Sequence, residues 1–320
     1  MQRRNADQAD QKTKRAFFYM MQDLGIQLNT TTGVFTVLET AEDAGCQFLD
    51  LCMAPGGFSK YLLDSYPRAK AFGISLPLAS GGHQLLLNLR DPRVTVKFLD
   101  ITLLYSEMMS TPTIDAIQIP SGHPDRNGFL YWRPYLHERF DLILCDGQVL
   151  RTHERHQYRE TAEPTRLLMS QLILGLKRIR PGGNMIVLLH KLEHWNPLAL
   201  LNTFHKFSEV QLFKSGKQHA KRSSFYMIAK NVQPASQEAR DAIVRWTKFW
   251  LAATFEGEVQ PNSGTTGAAV NMLLAQFGSQ YIELGVPIWK TQKEALERWG
   301  YCKDTRNENG DQQLEGRSPV

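Results

Sequence analysis

Phe48-Leu49-Asp50-Leu51-Cys52-Met53-Ala54-Pro55-Gly56-Gly57-Phe58-Ser59 reads as a short apolar strand, a tight Pro-Gly-Gly turn and a helix starting near Phe58. Adjacent glycines let the backbone approach a ligand at dihedrals other residues avoid. The helix N-terminus behind them offers N–H groups without intrahelical partners. In an open α/β sheet, the crevice beyond a strand's carboxyl end is where ligands bind. Asp50 ends the strand and faces that crevice. A carboxylate there opposes a pyrophosphate and suits a cationic or amine-bearing ligand. The loop also lacks G-x-G-x-x-G, which disfavours a nucleotide-linked dehydrogenase.

Around this stretch, strands alternate with helices. Apolar Phe17, Met20, Met21 and Leu24 share one face of a helix that starts near Lys14, and a second helix is expected over Thr36–Ala44. Strands are expected at Gln47–Leu51, Ala71–Ser75, Val94–Leu99, Phe140–Cys145, Met185–His190, Glu209–Phe213 and Ser224–Ala229. A helix follows the Gly turn to about Ser65, another runs from Glu163 to Ile179 and stops at Pro181-Gly182-Gly183, and a third covers Asn196–Phe207. This alternation predicts a mostly parallel, doubly wound seven-stranded sheet. The last two strands are joined by a link too short for a crossover helix, so they are expected to pair antiparallel.

The domain reading has four parts: a mobile N-terminus over 1–13, a main α/β domain over 14–232, a helical extension over 233–302 and a disordered tail over 303–320. Within the extension, helices are expected at Glu238–Thr254, Asn271–Gly278 and Gln292–Trp299, with a Gly/Ser/Thr linker at Pro261–Gly267. Residues 104–139 form an unusually long connection, functional or disordered. The mixed-charge run from Arg151 to Arg159 is either a solvated helix face or a phosphate-contacting lip.

Composition narrows the class. The 320 residues carry a net charge of +5 and a pI near 8.9, which permits a nucleic-acid partner without requiring one. Cys46, Cys52, Cys145 and Cys302 show neither CxxC pairing nor metal spacing, so no metal is expected and reduced thiols are. No apolar leader and no run of about 18 apolar residues is present, so an intracellular, cytoplasmic or nuclear, protein without membrane spans is expected.

Asp50 through Ser59, Phe72-Gly73-Ile74-Ser75-Leu76 and Asp146 together resemble the FtsJ/RrmJ-type ribose 2′-O-methyltransferases, over roughly residues 45–230. The antiparallel ending of the sheet is that of class I (Rossmann-like) methyltransferases. The resemblance implies S-adenosyl-L-methionine as cofactor and RNA as partner. It places Asp50, Ala54, Pro55, Gly56, Gly57 and Phe58 along the methionine and ribose end of the cofactor. Gly73 would lie near its ribose, and Asp100 would accept from the adenine amino group. A packing role for Gly73 and a helix N-cap role for Asp100 stand beside those readings.

The family activates a ribose hydroxyl with a Lys-Asp-Lys-Glu tetrad. Asp146 matches its Asp, with a turn-forming Asp before Gly147 as the alternative. The second lysine falls on Leu188, and the Glu falls on Ser224. His190 and Lys191 are the nearest candidates on that strand. His190 shares the face of Leu188, whereas Lys191 lies on the opposite face if the strand stays regular. Lys14, with Lys12, is the candidate first lysine. Three readings follow: an RNA ribose methyltransferase, a cofactor-binding pseudo-methyltransferase that binds RNA, and a methyltransferase for a non-RNA substrate. A basic set, Lys214, Lys217, Lys221 and Arg222, lies beside the candidate site in sequence.

Overall fold

The computed structural model describes residues 11–39, 45–111, 114, 118–256 and 266–299. The readings for residues 1–10, 40–44, 261–265 and 303–320 lie outside that set. Seven strands form one sheet: β1 Gln47–Leu51, β2 Lys70–Ser75, β3 Val94–Phe98, β4 Phe140–Cys145, β5 Ile179–His190, β6 Glu209–Phe213 and β7 Ser224–Val232. Their order is β3-β2-β1-β4-β5-β7-β6. All pairs are parallel up to β5; β7 then runs antiparallel to both β5 and β6. This is the class I methyltransferase arrangement anticipated from the sequence.

Among the described residues, seven α-helices accompany the sheet: α1 Gln11–Thr32, α2 Gly57–Ser65, α3 Tyr105–Met109, α4 Arg159–Arg178, α5 Trp195–His205, α6 Gln237–Phe255 and α7 Gly267–Arg298. Strand alternation divides their packing between two faces. Phe48, Leu142, Leu144, Ile186, Leu188 and Tyr226 face a core shared with Phe18, Met21, Leu24 and Leu28 of α1 and with Phe58 and Leu62 of α2. Leu49, Leu51, Ile143, Cys145, Val187 and Met227 face the opposite core, with α4, α5, α6 and α7. Asp50 follows the parity of Phe48, and Asp146 that of Leu142 and Leu144. Both carboxylates therefore belong to the α1–α2 face, at the carboxyl ends of neighbouring parallel strands.

Several sequence expectations need correction. The helix over Thr36–Ala44 is, in its described part, a 3₁₀ turn at Val34–Leu38, entered through Gly33 in the left-handed region. Here the Asn29 side chain accepts from the Phe35 N–H, which favours the tighter turn. The first helix begins at Gln11, three residues before Lys14. The two short C-terminal helices are one helix, α7, with Pro287 inside it. β5 begins at Ile179, ahead of the Pro-Gly-Gly stretch, so α4 ends because the chain turns extended at Ile179 rather than because of Pro181.

The 104–139 connection is packed where it is described. Met108, Ile119, Phe129 and Tyr135 join the α4–α7 core, and the Tyr135 hydroxyl donates to the Gly73 carbonyl at 2.7 Å. Buried Glu107 accepts from Arg178 at 2.5 Å and from Arg133 at 3.1 Å. The α6 helix closes this layer: fully buried Trp250 donates its indole N–H to the Thr102 carbonyl at 3.2 Å and lies edge-on to Phe129. Residues after 232 thus complete the core of the main sheet. Truncating a buried Trp costs about 3–5 kcal/mol. Trp250→Ala is therefore expected to lower unfolding free energy by about that amount in urea titration. A change under about 1 kcal/mol would show that α6 is energetically separate.

Candidate active site

The crevice at the carboxyl ends of β1 and β4 has a volume of about 710 Å³. Asp50, Met53 through Phe58, Asp100, Asp146, His190, Lys214 and Tyr226 line it, together with Phe17, Met21 and Leu24 of α1. The turn that enters α2 shapes its floor. Gly56 has φ +96°, and a Cβ there would meet Leu87 at 2.7 Å, so backbone conformation and space both require glycine. Gly73 is fixed by packing: a Cβ would collide with the Met53 side chain at 2.4 Å. Met53 in turn lines the crevice.

Burial sets the electrostatics. Desolvation pushes the Asp50 carboxyl up to about 7, although Ser59 Oγ donates to its Oδ2 at 2.6 Å. Desolvation pushes Asp146 up to about 8, against the 2.9 Å hydrogen bond from the Tyr226 hydroxyl, with the charge of Asp50 adding to the rise. Among the described residues neither carboxylate has an ion-pair partner. Two acidic groups held out of water without a protein cation form a site that gains stability from a positively charged ligand. That donor set fits the sulfonium and amino group of S-adenosylmethionine.

Asp100 is different in kind. It caps the 3₁₀ turn at Ile101–Leu103 through the Thr102 N–H at 2.9 Å. Its other oxygen accepts from Arg159 at 2.8 Å and lies 3.2 Å from His153. Desolvation raises its pKa, but hydrogen bonds from His153 and Arg159 and their charges outweigh this and hold the carboxyl well below the usual carboxylate range. The cap reading and a place on the crevice wall therefore both hold. The run from Arg151 to Arg159 is divided: Arg151 is exposed on the crevice wall, whereas two of its members point the other way. His153 and buried Arg159 turn inward, and Arg159 also pairs with Glu163 at 2.5 Å. Asp100, His153 and Glu163 stand close enough to hold a metal ion, but the Arg159 guanidinium hydrogen-bonds both carboxylates and supplies the cation there.

The remaining candidates are dispersed. Lys14 lies half-exposed on α1 and is not among the side chains lining the crevice. His190 is exposed at the mouth, paired with Ser224 across β5 and β7. Desolvation and the neighbouring cations Lys214, Arg222 and Lys191 lower its pKa. Lys191 leaves the strand with φ +55°, donates its N–H to the Ser223 carbonyl and lines a separate cavity of about 990 Å³ between α4, α5, α6 and α7. Leu188 is buried opposite Tyr226. The sequence assigns Ser59 no role, although its hydroxyl orients Asp50, and it marks Lys214 only as one of a basic set, whereas the side chain lies buried in the crevice wall. The signal for Ser59 was its nine-residue spacing from Asp50, across the turn.

An FtsJ-like methyltransferase family model matches residues 28–232. A cap-specific mRNA (nucleoside-2′-O-)-methyltransferase of Autographa californica nuclear polyhedrosis virus is 26% identical over 193 residues, which are 58% of this chain and 63% of that protein. The chain thus spans less than two thirds of that relative's length. Among solved structures, a putative ribosomal RNA methyltransferase from Plasmodium falciparum superposes with a TM-score of 0.42 at 16% identity, covering 66% of this chain and 96% of that one. Human methyltransferase-like protein 13 in complex with SAH gives 0.39 at 12% identity, over 81% and 99%. The family match takes in every strand of the sheet and both crevice carboxylates, well over half of the chain, and the protein belongs to the FtsJ-like methyltransferase family.

Proposed function

We propose that this chain transfers a methyl group from S-adenosylmethionine to a ribose 2′-hydroxyl of RNA. The observation that carries the reading is the pair of buried, cation-free carboxylates, Asp50 and Asp146, at adjoining strand ends beside the Gly56 turn. When bound, S-adenosylmethionine supplies a methyl group on a positively charged sulfur. Asp50, held by Ser59, accepts from the ligand's amino group. The Gly56–Phe58 turn presents α2 backbone N–H groups to its polar end. Asp146, with Tyr226 engaging one oxygen, places negative charge where the cation sits. Lys217, Lys221 and Arg222 around the β6–β7 turn give an RNA backbone a cationic approach.

A second reading has its own observation. Leu188 and Ser224 occupy two positions where the family carries charge, so a cofactor-binding, RNA-binding protein without turnover is the competing proposal. Methyl transfer to mixed RNA decides between them. Active wild type, with Asp146→Ala reducing kcat by about 10²-fold or more, supports the enzyme. Binding of cofactor and RNA with no transfer supports the pseudo-enzyme. Asp50→Asn is expected to weaken S-adenosylhomocysteine binding about 10–100-fold by calorimetry, the worth of a charged hydrogen bond. RNA affinity should fall linearly with log salt, and flat salt dependence would point to a non-RNA substrate.

The raised carboxyls also set a pH dependence. An acid whose folded pKa exceeds its unfolded value favours the folded state least when ionised in both states. The ligand-free protein should therefore lose stability as pH rises from about 4 through about 8, the window of Asp50 and Asp146. Asp146→Asn removes part of that loss and should raise the ligand-free Tm at pH 8 by about 5 °C. An unchanged Tm, measured by calorimetry, would contradict the burial cost assigned to this carboxylate.

A further inference from the structure

Lys214 follows Phe213, the last residue of β6, which pairs with Tyr226 across the sheet. Tyr226 pairs on its other side with Leu188 and donates its hydroxyl to Asp146. Lys214 is 9% exposed and lines the same crevice as Asp50, Asp146 and Ser224. Among the described residues it has no carboxylate partner. Its Nζ instead donates to two backbone carbonyls, those of Arg222 and Ser224, each at 2.6 Å. An amine nitrogen has four tetrahedral positions, one taken by its own carbon. Two N–H bonds go to the carbonyls, leaving one position. That position is a third N–H when the group is protonated and a lone pair when it is neutral.

A ribose hydroxyl is a poor nucleophile until its proton is held or removed. Leu188 cannot do this, and Ser224 supplies no charge to orient a lysine on β5. We propose that Lys214 is the base that accepts the ribose 2′-hydroxyl proton in this chain. The carbonyls of Arg222 and Ser224 do the orienting that a carboxylate would otherwise do. The hydroxyl proton passes to Nζ as the hydroxyl oxygen bonds to the methyl carbon. The electron pair of the broken sulfur–methyl bond stays on sulfur, and the ammonium later gives its proton to solvent. The inference rests on the functional reading above and adds the identity of the base.

The surroundings keep such an amine available. Burial lowers its pKa to about 8. His219, on the same turn, is lowered to about 4 by burial and by Arg222, Lys214 and His190. His190, at the end of β5, is lowered by desolvation and by Lys214, Arg222 and Lys191. From the α1 side the neutral Gln27 reaches this turn, through Ser215 and Gln218. Burial thus brings Lys214 and the two carboxylates, Asp50 and Asp146, toward a common titration range.

Lysine-selective ¹³Cε NMR on the full-length protein tests the base directly, with Lys214→Arg identifying the signal. Burial also lowers Lys177 to about 8, so two lysine signals are expected to titrate in that range, and the one that Lys214→Arg removes should titrate near pH 8, also in Asp146→Asn; titration of that signal at the ordinary lysine value near 10.4 overturns the proposal. In single-turnover methylation of RNA, Lys214→Met and Lys214→Arg should each lose about 10²–10⁴-fold in rate. Unchanged S-adenosylhomocysteine affinity in each variant serves as the folding control. Arginine keeps the positive charge but cannot take up a proton. A Lys214→Arg protein with the wild-type rate therefore overturns the base and leaves only a cation. Wild type that methylates no RNA overturns the functional reading itself, whereas wild-type transfer that both variants retain overturns Lys214 alone.

Discussion

The cost of holding Asp50 and Asp146 out of water is the constraint on which the rest of the structure depends. Each sits at the carboxyl end of a parallel strand, on the face covered by α1 and α2, and desolvation pushes each carboxyl well above the usual carboxylate range. A carboxylate in that position destabilises the empty fold unless it gives up its charge. The protein softens the cost with one neutral donor apiece, Ser59 for Asp50 and Tyr226 for Asp146. Neither donor is a cation. That choice leaves the electrostatic gain to a ligand, so affinity for a positively charged molecule is built from what the empty fold lacks.

The far wall of the crevice follows the opposite logic. Asp100 is buried too, but Arg159, His153 and the Thr102 N–H meet it, and its carboxyl falls well below the usual range. Arg159 is anchored by Glu163, and Arg166 links Glu163 to Thr102 and Thr254. This network ties the end of β3 to α4 and α6. It meets the Asp100 carboxylate with Arg159 and His153 while the Asp50–Asp146 side remains electrostatically unmet. Removing one member of such a buried network exposes an uncompensated charge, typically several kcal/mol. The α6 helix is therefore coupled to the crevice wall through the Arg166 guanidinium as well as through Trp250 and its aromatic neighbours.

Much of this was legible because alternation and turn chemistry are local. Seven strands, the antiparallel ending and the Gly56 turn follow from apolar runs, a short β6–β7 link and a Pro-Gly-Gly sequence. The α7 helix was less legible: Gly285 and Pro287 resemble a break, yet its apolar face, Phe277, Tyr281 and Ile288, binds to the main core and holds the helix together. The inward turn of Arg159 was hidden for a similar reason. A mixed-charge run carries no sign of which charges meet a buried carboxylate 59 residues away. Lys214 is legible only as one of a basic set, because its partners are backbone carbonyls, which leave no trace in side-chain identity.

That last point bears on how a candidate base is recognised when it lies outside the positions a family pattern marks. A lysine oriented by a carboxylate announces itself as a charge pair in sequence. A lysine oriented by two carbonyls of an adjacent strand needs only the right register, here Phe213 opposite Tyr226 and Ser224 opposite His190. Leu188, Tyr226 and Phe213 lie in one row across β5, β7 and β6, so a group at the end of β6 approaches the crevice from two strands further out. The longer lysine stem spans part of that distance, and carbonyl bonding fixes its head without adding negative charge. An added carboxylate would raise the amine's pKa and favour its protonated form. Carbonyl orientation in a buried wall instead leaves desolvation to act alone, which favours the neutral amine.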